Sequence, residues 1–95
     1  MKFVYIEGWY GNGFEDAGEE ITLVKAFETN AEALKESGLR FMKFAVEYGG
    51  LSDEQIADKS VHEIAEFMNG WVDVAVGRWS VQPENTAFGL IKKLY

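Results

Sequence analysis

An α+β fold is what this sequence predicts: a two-layer sandwich in which an antiparallel sheet of three or four strands packs on an αα-hairpin. Three observations point to it. Two aromatic and β-branched segments separated by turn chemistry open the chain, two capped helical patterns follow, and a further strand-like run returns after them. The expected order is β-β-α-α-β-α or β-β-α-α-β-β. Ninety-five residues, 47% of them hydrophobic and 15% aromatic, suffice for a single domain with a modest core and are too apolar for a disordered chain.

Residues 2–10 (KFVYIEGWY) have the composition of a strand, with Phe3, Tyr5, Glu7 and Trp9 on one side and Val4, Ile6 and Gly8 on the other. Residues 11–18 are turn chemistry, rich in glycine and acid. A second strand over residues 20–27 then completes a hairpin with a long acidic loop, placing Ile21, Leu23 and Phe27 on one face and Val24 and Ala26 on the other.

The central element is a helix over residues 29–50. Thr29 and Glu32 satisfy a capping box at its start, and Gly49-Gly50 ends it. At about 100° per residue, Leu34, Gly38, Phe41, Ala45 and Tyr48 share one stripe, widened by Leu39, Met42, Val46 and Phe44. Only Glu32, Glu36, Arg40, Lys43 and Glu47 form a polar strip. Such a helix needs cover on more than one side. Gly38, which costs about 1 kcal/mol relative to alanine inside a helix, reads as a point of close contact.

A second helix is expected from Ser52 to Met68. Ser52 and Gln55 form a capping box, Leu51 and Ile56 a hydrophobic staple, and Asn69-Gly70 the stop. The short link to the preceding helix implies an αα-hairpin. Residues 71–81 (WVDVAVGRWSV) read as a third, central strand, since both faces are apolar. Beyond Pro83 the spacing of Ala87, Leu90, Ile91 and Leu94 favours a helix, with Lys92-Lys93 at its negative end; Gly89 and a Pro83-Glu84-Asn85 turn also permit a final strand.

Composition narrows the function classes. No cysteine is present, which removes disulfides, thiolate nucleophiles and cysteine-held metal. Glu7 interrupts the apolar run that a signal peptide requires, and no window approaches the length of a membrane span, so a soluble cytoplasmic protein is expected. A formal net charge of −7 opposes direct attraction to nucleic acid or anionic membranes and permits a basic protein partner.

The chemical motifs are weak. Gly8-Trp9-Tyr10-Gly11-Asn12-Gly13 follows a strand, but a phosphate loop needs a helix N-terminus and a lysine, and here Glu15, Asp16, Glu19 and Glu20 follow. Asp58, His62 and Glu66 have the spacing of ligands on one helix face, yet lie on the polar side with no second histidine; a metal site is not expected. No serine sits in a nucleophile elbow. The sequence therefore leans away from an enzyme and implies no cofactor and no catalytic residues.

What remains is surface. The acids Asp53, Glu54, Asp58, Glu63 and Glu66, with the acidic loop residues Glu15, Asp16, Glu19 and Glu20, suit a basic partner. Aromatic residues, Trp9 and Trp79 among them, belong by default to the core under the helices or to a homodimer interface, and suit a docking face if they share the sheet face away from the helices. Size, charge and lack of catalytic residues are similar in type to the small acidic inhibitors that phages and mobile elements encode. The leading expectation is a non-enzymatic protein-interaction module of the anti-defence kind, inhibiting a basic nucleic-acid-processing partner. The alternative is a small-ligand-binding or catalytic domain with a pocket between sheet and helices, using Tyr48, Trp71 or His62.

Overall fold

The computed structural model describes residues 2–10, 19–82 and 86–94. Its strands are β1 (Phe3–Tyr10), β2 (Glu19–Phe27), β3 (Trp71–Asp73), β4 (Arg78–Val81) and β5 (Thr86–Lys93). The helices α1 (Asn30–Glu47), α2 (Asp53–Ala57) and α3 (Val61–Phe67) fall between β2 and β3. All strand pairs are antiparallel, in the order β2-β1-β5-β4-β3. The first and last strands thus lie side by side at the centre, and the Leu94 N–H donates to the Lys2 carbonyl (2.7 Å) to extend their ladder.

The hairpin of β1 and β2 forms where alternation predicts it. Tyr5 and Glu7 are buried and Trp9 packs on α1 through Phe44 and Tyr48, which fixes the odd-numbered residues as the helix-facing side. The loop between the two strands, with Glu15 and Asp16, lies outside the described residues. The register slips between Glu7 and Gly8, where β2 carries Thr22 as an extra residue.

Thr29 caps α1 by accepting from the Glu32 N–H (3.2 Å), while its hydroxyl donates to the Glu32 carboxylate (2.9 Å). Across the sheet, α1 buries Ala33, Ser37, Phe41, Phe44 and Ala45. Phe41, Phe44 and Ala45 join Ile64, Met68, Trp79, Val81 and Ala87 in one apolar cluster. Gly38 departs from expectation: it is exposed, and a Cβ there would meet no atom within 4 Å. The close glycine contacts fall elsewhere, at Gly89 and Gly70, where the sheet leaves no room for a Cβ.

Three corrections follow from local competition. The expected second helix is two short ones, because Ser60 starts α3 with its own reciprocal capping box to Glu63 while Asp58 caps the end of α2. Residues 71–81 are not one strand but a hairpin. Gly77 adopts φ 66°, and Asp73 Oδ1 accepts the Ala75 N–H (3.1 Å), turning the chain through the valines that imitate alternation. Residues 86–93 form a strand rather than the favoured helix. β1 pairs with them along their whole length and β4 with Ala87, Phe88 and Gly89 on the other side, and apolar residues on both faces suit that central position. The sheet accordingly has five strands, against the three or four expected; the Pro83-Glu84-Asn85 turn lies outside the described residues.

Among the described residues, no helix is long and apolar enough to cross a membrane.

Candidate functional site

A carboxylate on the buried face of a strand must find a positive partner, because an unpaired charge out of water is costly. Glu7 is such a carboxylate, 2% exposed at the middle of β1. Its partner is Arg40, 33 positions on, at the middle of α1. The guanidinium donates from Nε to Oε1 (2.8 Å) and from Nη2 to Oε2 (2.6 Å), a two-bond clamp in which Arg40 keeps 26% of its side-chain exposure. The Tyr5 hydroxyl adds a third bond, donating to Oε1 at 2.9 Å. Burial, and then the Glu7 charge beside it, hold the Tyr5 phenol far above its ordinary pKa; the Glu7 hydrogen bonds likewise raise that of Arg40.

Gly89 makes this arrangement possible. It pairs with both Glu7 and Trp79 across the sheet, and a Cβ there would collide with the Trp79 indole and the Tyr5 hydroxyl. Among the described residues the buried Trp79 N–H finds no acceptor in hydrogen-bonding geometry. On the other side, the Thr22 hydroxyl donates to the Glu7 carbonyl (3.3 Å) at the bulge.

Above the ion pair opens a cleft of about 300 Å³ between β1, β2 and the C-terminal half of α1. Glu7 and Arg40 line it, with Lys43 and Glu47 farther along the helix and Trp9 and Tyr48 among its rings. The rings of Trp9, Phe44 and Tyr48 lie 4.9–5.5 Å apart. A second cleft, about 320 Å³, runs between α1, α3 and the β3–β4 hairpin past Leu34, Gly38, Met42, Val61 and Val74. It is almost wholly apolar; the Ser37 hydroxyl on its wall is already donating to the Gly77 carbonyl (2.6 Å).

The residues picked from sequence scatter over the molecule. Asp53, Glu54, Asp58, Glu63 and Glu66 are all exposed on α2, α3 and their junction. Glu63 also caps α3, and its bonds from Ser60 hold its carboxyl below the usual range. The break at Ser60 puts Asp58 on a different helix from His62 and Glu66, so the i, i+4, i+8 stripe is not formed. Among the described residues no three potential ligands gather as a metal site would require. Glu19 and Glu20 begin β2, opposite Tyr10 and Trp9.

The open aromatic face is also rearranged. Trp79 is 1% exposed, in the core against Phe41 and Phe44, and Trp9 is half-buried against α1, because the strand phases turn both towards the helices. Of the tryptophans in described strands, Trp71 is the one left on the far face, with Arg78 over its ring (5.9 Å). That face also carries Val4, Ile6, Ile21, Val24 and Leu90, of which Val24 is 59% exposed, and the rings of Tyr10 and Phe88, 4.7 Å apart. Tyr48 lines the polar cleft, whereas Trp71 and His62 line neither.

Sequence reasoning missed the ion pair, reading Arg40 as part of the polar strip. The signal was available in Glu7, a lone acid among Phe3, Tyr5 and Trp9 on the apolar side of a strand. Comparison with known proteins finds no matching family model, no matching curated protein and no matching solved structure.

Proposed function

We propose that this protein is a non-enzymatic interaction module whose acidic helical layer docks on a basic protein partner. In its sharper form, the protein is an inhibitor that occupies the nucleic-acid site of a nucleic-acid-processing partner by presenting carboxylates where phosphates would lie. The placing of Ile64, Ala65 and Met68 of α3 and its end in the core cluster with Phe41 of α1 supports this reading, since it sets the acids of α2 and α3 apart from the far face of the sheet.

One observation carries it. Among the described residues, the ion pairs are Lys25 with Glu36, Arg40 with Glu7 and Lys43 with Glu47, and none of them takes Asp53, Glu54, Asp58, Glu63 or Glu66. Exposed carboxylates outside any internal ion pair keep most of their field for steering a positive surface. The test is affinity capture from the native host at low and high salt, with mass spectrometry of what is retained. A second bait carries Asp53→Asn, Glu54→Gln, Asp58→Asn and Glu66→Gln, leaving Glu63 to cap α3. Support is a basic nucleic-acid-binding partner that elutes with salt, is displaced by nucleic acid and is lost on the neutralised bait. Retention indifferent to salt and to the four substitutions would refute the reading.

A further inference from the structure

We propose that the cleft over the Glu7–Arg40 pair is a binding site for a small planar organic anion, an aromatic carboxylate. The site is separate from the acidic helical layer, and the inference does not depend on what docks there.

Arg40 is the anchor. Two of its five N–H donors serve Glu7. Among the described residues the other three meet no acceptor, on a guanidinium that lines the cleft. Glu7 itself is held by Tyr5 and buried in the sheet, so the guanidinium is fixed in position before a ligand arrives and little side-chain freedom is lost on binding. A planar fork with unclaimed donors matches a carboxylate in two parallel bonds.

Lys43, one turn farther along the same helix, supplies a second cation at the rim. Its contact with Glu47 is 3.9 Å, too long for a hydrogen bond, between two side chains that are both half-exposed. A ligand carboxylate competes easily with so loose a pair. Glu47 in turn repels a second negative charge, which selects a monoanion.

The ring of the ligand has its own wall. Trp9 and Phe44 stand 5.5 Å apart, and Tyr48 closes on both, at 5.5 Å from Trp9 and 4.9 Å from Phe44. Tyr48 is 50% exposed although it is the C-cap of α1, so one face of its ring is available for stacking. The bulge at Thr22 bends β2 beside this wall. A volume of about 300 Å³ is at the small end for ligand sites and fits a one- or two-ring molecule. The cleft on the other side of α1 has Lys35 in its wall, but among the described residues no ion pair fixes it as Glu7 fixes Arg40, which is why the anion belongs here.

The experiment is an amide NMR titration of the full chain with indole-3-acetate and, separately, with its neutral isostere indole-3-acetamide. The expected result is saturable shifts confined to residues around Glu7, Trp9, Thr22 and 40–48, with the carboxylate binding about tenfold more tightly than the amide because charge-assisted bonds are the stronger. Lys43→Gln and Tyr48→Ala, both at half-exposed positions that leave the Glu7 pair intact, should each weaken binding several-fold while the unliganded spectrum stays folded. The proposal is overturned by absence of saturation at millimolar ligand, by equal affinity for acid and amide, by shifts clustered at the Leu34–Val74 cleft, or by unchanged affinity in both variants.

Discussion

Removing either half of the Glu7–Arg40 pair does not carry the same cost. Arg40→Met leaves Glu7 as an uncompensated charge inside the sheet and should destabilise by about 3–5 kcal/mol, the range for breaking a buried pair. Glu7→Gln should cost clearly less, since Arg40 is already 26% exposed and can turn to water. Urea unfolding of the two variants measures this, and equal losses would mean that Arg40 is as isolated from solvent as its partner. Tyr5 gives a pH signature at the same place. The folded state keeps its phenol neutral well above the ordinary value, whereas an unfolded tyrosine ionises near about 10. The stabilisation is therefore complete below that pH and is lost as pH rises through and beyond it. Urea midpoints should fall with pH above about 10, and Tyr5→Phe should flatten the slope; an equal slope in the variant would show that Tyr5 ionises freely.

Two glycines decide the next scale, that of elements. Gly38 lies on the exposed side of α1 with no neighbour where its Cβ would be, so Gly38→Ala should raise stability by up to about 1 kcal/mol through helix propensity alone. Gly89 in β5 is the opposite case. Its missing Cβ is the space taken by the Trp79 indole and the Tyr5 hydroxyl, and Gly89→Ala should lower the melting temperature by forcing both to move. Thermal melts of the pair check both signs; a destabilising Gly38→Ala would restore the close contact that sequence alone suggested. The sequence shows one glycine in an amphipathic helix and another in a tail of uncertain form, and nothing in either pattern says which backbone is crowded. Caps were better encoded. The Ser52–Gln55 box forms as read because both partners lie within one turn. The Ser60–Glu63 box has the same spacing and was hidden by the apolar pattern running through it.

Across the whole molecule the net charge of −7 works against compaction, and none of the five carboxylates of α2 and α3 and their junction is in an ion pair among the described residues. Salt should therefore stabilise the fold. Between about 20 mM and about 0.5 M sodium chloride the screening length shrinks from roughly 20 Å to roughly 4 Å, and the melting temperature should rise; a fall would mean that the exposed ion pairs outweigh the self-repulsion. How the chain divides between what is read and what is built follows from range. The sequence by itself determined an α+β protein, the hairpin of β1 and β2, the long apolar helix α1 and the starts of α1 and α2, because these rest on periodicity and on bonds within a few residues. Only the tertiary structure decided that residues 86–93 are a central strand, that Trp79 faces the helices, and that Glu7 meets Arg40 under a cleft walled by Trp9 and Tyr48. Each of those outcomes depends on which distant strand supplies backbone partners and which face of the sheet the helix covers, and a local pattern with two apolar faces carries no preference between them.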